Sequence, residues 1–305
     1  MVDGASPCGP FGVLVAYDAQ MLVSERIGQF FLEGDSGRDR LEYTEYGAGD
    51  RWVVLLHGQL MPRRMHEPLA RVLASEGLHV VTLDLLGHGR SDRPEDPLVY
   101  SMTAFAEQVV ALLDHLGADQ AVIGGTSLGA NVSLEVAVLA PERVRGLLLE
   151  MPVLDNALEA GILAFAPLLF AARFLPLSIH ALRWVTRPIP RGVVPFWVGI
   201  GLDTCDQRPG AVAAAVHGIF FGRIAPAARQ RRAISAPALV VGHPADPIHP
   251  AADAAMLAEE MPNAEFVRAT SIVEWRARPD RLNRTAVGFA LGCWQTRAGQ
   301  RRTQA

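Results

Sequence analysis

The sequence predicts an α/β fold, a mostly parallel sheet with helices on both faces. Two patterns predict it. From Arg51 onward, short β-branched runs alternate with longer helical ones, the order of successive βαβ units. The central runs are continuously apolar, which is how a strand covered on both faces reads. Size agrees: 305 residues, half of them hydrophobic, suffice for one large core or two small ones and are too apolar for a disordered chain.

Residues 29–32 and 41–46 read as an antiparallel pair at the sheet edge. Residues 52–56, Trp-Val-Val-Leu-Leu, are a buried strand stopped by His57-Gly58. A helix over 66–76 and a strand over 79–83 follow. Residues 104–116 place Phe105, Val109, Leu112, Leu113 and Leu116 on one helical face, and Gly117 stands where a C-cap belongs. A short strand over 121–124, a helix over 128–139 and a strand over 144–149 continue the series. The alternation then stops between 153 and 233. It resumes with a strand at 238–242, a helix at 251–260, a strand at 264–268 and a helix at 280–291. About 80 residues are too many for a connection, so 153–233 is expected to form a mostly helical cap between two halves of one core, 25–152 and 234–294. Its aromatic residues, among them Phe165, Trp184, Phe196, Phe220 and Phe221, suggest an apolar pocket, cap core, or an interfacial or homodimer face. Residues 295–305 are polar and expected to be disordered.

Composition excludes several functions. The net charge is −4 with both signs dispersed, so no phosphate-tracking stripe exists and nucleic acid is not an expected partner. All 28 cations are Arg; without a Lys there is no Schiff base, no covalently held pyridoxal phosphate and no P-loop lysine. Cys8, Cys205 and Cys293 are far apart and lack His at ligand spacing, which indicates neither disulfide nor zinc. No metal or organic cofactor is expected. The first eleven residues lack a basic n-region, and the longest uncharged apolar run, 160–172, is shorter than the ~18 residues of a membrane span. A cytoplasmic protein without a membrane span is the expectation.

The sharpest chemical signal is Gly125-Thr126-Ser127-Leu128-Gly129, lying between a predicted strand and a predicted helix. In so tight a turn the central residue is strained and the positions two before and two after have no room for side chains. The turn lifts the Ser127 hydroxyl above the sheet and aims the Leu128 N–H at the same spot. Gln59, after His57-Gly58, is placed to offer a second N–H for an oxyanion hole. His57 and His88 sit in glycine turns and read as loop-bracing residues.

These pieces, with residues 84–92 and His243-Pro244-Ala245-Asp246-Pro247-Ile248, resemble the α/β-hydrolase superfamily from about residue 41 to 291. The resemblance implies an eight-stranded sheet, a cap inserted after the sixth strand, Ser127 as nucleophile and Asp246 as acid. Ser at 127 argues against relatives that form aspartyl esters. One departure matters: the family's histidine position falls on Ile272, and no His follows residue 249. A serine hydroxyl without a base is a poor nucleophile. His249 is the best substitute, with Asp246 or Glu150 to orient it; His243 and Glu274 are weaker candidates. Pro247 and Pro250 bias Asp246 and His249 toward extended backbone, which puts them on one face but about 9 Å apart. A direct bond between them requires the chain to turn. The expected function is hydrolysis of a carboxylic ester or thioester with a hydrophobic acyl or ring group through an acyl-enzyme. The alternatives are a non-catalytic member of the fold that binds a hydrophobic ligand or partner, and non-hydrolytic chemistry on the same fold.

Overall fold

The computed structural model describes residues 23–34, 37–154 and 156–302. Cys8 and the N-terminal residues read for a leader lie outside them. Eight strands form one sheet: β1 (Glu25–Gly34), β2 (Gly37–Tyr46), β3 (Trp52–Leu56), β4 (His79–Leu83), β5 (Ala121–Thr126), β6 (Val144–Glu150), β7 (Ala238–Gly242) and β8 (Ala264–Arg268). Their spatial order is β1-β2-β4-β3-β5-β6-β7-β8. From β4 to β8 every pairing is parallel; β2 joins β4 antiparallel, and β1 pairs with β2 the same way. The edge pair is longer than the sequence reading gave. Its outer stretches are polar, which an edge strand tolerates.

Successive residues of the inner strands point to opposite faces. Val54, Leu56, Ile123, Leu147, Leu149 and Val240 pack against α2 (Met102–Leu116), α3 (Leu128–Leu139) and α9 (Ala251–Glu260). Val53, Leu55, Val122, Leu148, Leu239 and Val241 meet α1 (Glu67–Ser75) and α11 (Asp280–Arg302), the helix that follows the single turn α10 (Glu274–Ala277), on the other face. Ser101 caps α2 by accepting the Ala104 N–H at 3.1 Å, and Gly117 ends it at φ 67°. α11 continues to Arg302, through part of the tail read as disordered; Gln, Arg and Ala in that stretch favour helix.

Between β6 and β7 the described residues hold no strand, only α4 (Leu158–Phe174), α5 (Pro176–Thr186), α6 (Phe196–Cys205), α7 (Pro209–Phe220), α8 (Ala228–Ala233) and one short 3-10 turn. α4 packs on α7 with the Phe165 and Phe220 rings 5.1 Å apart. Asp253, fully buried in the first turn of α9, holds the entrance of this insertion by accepting from the Leu154, Asn156 and Ala157 amides. Arg64 pairs with Asp203 at 2.9 Å, and Gln207 donates to the Leu60 carbonyl at 2.7 Å, fastening the opposite side. No single helix among the described residues is long and apolar enough to cross a membrane.

Candidate active site

Among the described residues, four non-glycine residues have positive φ: Leu60, Ser127, Met151 and Ala245. Each lies in the turn after an inner strand, β3, β5, β6 or β7, so backbone strain gathers at one end of the sheet. Ser127 has φ 56° and ψ −111° and opens α3. The flanking glycines are required by close approach. A Cβ on Gly125 would stand 2.2 Å from the Leu56 carbonyl oxygen, and one on Gly129 2.1 Å from the same atom.

The Ser127 hydroxyl lies 2.8 Å from His249 Nε2, and His249 Nδ1 lies 3.0 Å from Asp246 Oδ2. A carboxylate only accepts, so Nδ1 carries the proton and Nε2 is free to accept from the alcohol. The other carboxylate oxygen accepts the Ile248 and His249 amides at 2.8 and 3.0 Å. That pair of bonds corrects the extended backbone expected here. The Asp246 side chain bends 247–249 into a turn, and the turn carries the imidazole back onto its own loop's carboxylate. Burial pushes the Asp246 carboxyl up, but the bonds from the His249 ring and the two amides outweigh it and hold the group below its ordinary range.

Gln59 and Leu128 both line the small chamber at Ser127 and His249. The Gln59 side-chain amide is buried with neither polar atom paired. The rest of the lining is largely apolar, with Met102, Phe165, Ile219, Phe220 and Ile248 among it and Gly161 beside them; the volume is about 50 Å³. Asn131 is a residue that sequence reasoning missed. Its side chain bonds the Val153 and Ile224 carbonyls at 2.7 and 2.6 Å, tying α3 to both ends of the insertion. Its signal was a lone amide in the otherwise apolar first turn of α3.

The remaining candidates lie elsewhere. Glu150 does not meet His249. It bonds His243 Nε2 at 3.0 Å and Arg276 at 2.6 Å, and accepts from Thr126. Burial raises the Glu150 carboxyl, yet the Arg276 guanidinium and the His243 ring hold it well below the usual range. His243 Nδ1 faces the Ser271 carbonyl at 3.0 Å, so both ring nitrogens face acceptors and the ring is held as imidazolium. Burial lowers its pKa, but the bonded Glu150 carboxylate raises it above its ordinary value. Stability from this contact is therefore full below pH ~6.5 and declines as pH rises through the folded pKa. Urea unfolding should show the deficit of His243→Gln relative to wild type shrinking as pH rises above neutrality; a deficit growing with pH would contradict the charged ring.

His57 donates from Nδ1 to the Gly58 carbonyl and accepts the Leu85 amide on Nε2, so it braces two loops. Burial pushes His57 down to about 4 and His88 down to about 3, leaving both neutral near pH 7. Glu274, held at about 2 by Arg281 and the Thr270 bonds, braces the loop after β8. Ile272 stands in that same loop, partly exposed and without a proton acceptor.

Residues 51–176 match the family model of the alpha/beta hydrolase fold. The chain is 41% identical over 76 residues to a 2-hydroxymuconate semialdehyde hydrolase of Pseudomonas putida, a match covering 25% of this chain and 27% of that protein. A haloalkane dehalogenase of Mycolicibacterium paratuberculosis is 27% identical over 213 residues, 70% of this chain and 64% of that one. The chain thus spans less than two thirds of either relative. A thermophilic esterase from Thermogutta terrifontis superposes with a TM-score of 0.68 at 22% identity, covering 87% of this chain and 99% of that structure.

Proposed function

This chain is a member of the α/β-hydrolase superfamily, and from that premise we propose that it is a serine hydrolase cleaving a carboxylic ester or thioester through an acyl-enzyme. The observation that carries the reading is the unbroken hydrogen-bonded line Ser127–His249–Asp246. Ser127 Oγ attacks the carbonyl carbon while His249 Nε2 takes its proton, and Asp246 stabilises the imidazolium. The Gln59 and Leu128 amides hold the developing oxyanion. His249 then gives its proton to the departing alkoxide or thiolate, leaving the acyl group on Ser127. Water, deprotonated by His249, attacks that ester and releases the acid.

Chamber size narrows the acyl group. A cavity of about 150 Å³ admits benzene; this one, at about 50 Å³, favours a short apolar acyl group over a ring. p-Nitrophenyl acetate is the substrate for the test. The expected result is a burst of p-nitrophenolate equal to the enzyme present, abolished in Ser127→Ala, with the octanoate ester much slower. Equal rates for wild type and Ser127→Ala would end the hydrolase reading.

A further inference from the structure

The insertion exposes more apolar surface than its packing uses. α4 and α5 meet at Leu175 with their axes bent by 99°. On them Phe170, Phe174, Leu175, Leu177, Trp184 and Val185 are all more than half exposed, Leu177 and Trp184 at 80% and 79%. Patches of this kind mark an interaction site on a folded protein. The charge around it is one-sided. Between residues 160 and 202 there is no Asp or Glu, while Arg173, Arg183, Arg187 and Arg191 are present. Arg183 and Arg191 are paired with Asp206 and Asp203. Arg173 and Arg187 are exposed and have no carboxylate partner among the described residues.

We propose that the α4–α5 surface docks onto an anionic lipid bilayer, lying in the headgroup layer with Trp184 and the phenylalanines inserted and the two free arginines against the headgroups. Exposed Trp beside Leu and Phe, flanked by cations, is the chemistry of an interfacial anchor. The helices, 17 and 11 residues long with a sharp bend between them, are too short to span, since a crossing helix needs about 20 residues. A second copy fits less well: a two-fold contact pairs the same patch with itself, setting the free arginines near one another with no carboxylate from this segment between them. α4 also contributes Gly161 and Phe165 to the chamber wall, so docking acts on the helix that limits the chamber.

The test is cosedimentation of the full chain with vesicles of neutral phosphatidylcholine and vesicles of phosphatidylcholine mixed with phosphatidylglycerol. Binding is expected to favour the anionic vesicles, to weaken in high salt, and to fall about fivefold for each of Arg173→Gln and Arg187→Gln. Trp184→Ala should lower binding to both vesicles. Thermal midpoints by circular dichroism confirm that the variants fold, and none of the three residues lies at the site of chemistry. No binding to either vesicle, or equal binding to both, would overturn the proposal. So would a dimer in sedimentation equilibrium that Trp184→Ala converts to a monomer, because the patch would then belong to a second copy.

Discussion

Replacing His249 with alanine is expected to lower kcat for ester hydrolysis by roughly 10⁶-fold, the scale set by removing the histidine from the subtilisin triad. KM should change little and the thermal midpoint hardly at all, because the ring is partly exposed and packs at a chamber rather than in the core. The prediction is sharp because no other imidazole among the described residues contacts the alcohol. His57 and His243 spend both ring nitrogens on other partners, and His66 bonds the Leu56 carbonyl. His88 is fully buried, its ring tilted against that of His57. Single-turnover release of p-nitrophenolate and labelling of Ser127 by a fluorophosphonate measure the effect independently of product release. A loss below about tenfold would mean that a different group takes the proton.

Gly129→Ala is expected to be the most damaging single-methyl change in the core, costing about 4 kcal/mol or more, in the range reserved for specific steric failures. The added carbon would sit 2.1 Å from the Leu56 carbonyl oxygen and 2.6 Å from its carbon. These are backbone atoms at the end of β3, so no side-chain rotation relieves the overlap. The same carbonyl accepts from His66 at 2.9 Å, which pins it further. Either the start of α3 swings out, displacing Ser127, or β3 shifts and takes Gln59 with it. Urea unfolding, or loss of soluble protein, checks the outcome. A variant unfolding within about 1 kcal/mol of wild type would show the elbow to be far looser than this contact implies.

Much of the core was legible because its signals are local. The apolar runs of β3, β4 and β7 and the cap residues of α2 mark boundaries to within a residue or two, since burial on both faces keeps most positions apolar; β4 admits only His79 and Thr82. Ser127 was legible because two glycines and a strand–helix junction constrain the same turn. The helices of the insertion were not, because α4 and α6 are apolar around their circumference and offer no period to read. The turn at 246–249 was misread for a different reason. Pro247 and Pro250 argue for extended backbone, but the Asp246 carboxylate captures the Ile248 and His249 amides, and that local bonding wins. Glu150 could be placed at the end of β6 from the sequence, yet its partners Arg276 and His243 are 126 and 93 residues away. Pairings at such separation follow from topology, which no local pattern carries.

β8 is the edge strand at the end of the sheet opposite β1, and three of its five residues are exposed. Sheet margins of this kind fray first and exchange their amide hydrogens fastest. In this molecule the loop following that margin is braced by Glu274 and contributes nothing to the serine's proton relay, whose parts hang from β5 and β7 in the sheet interior. Transient peeling of β8 therefore leaves serine, imidazole and carboxylate in register. On the proposed mechanism, turnover is thereby uncoupled from fraying at this border of the sheet.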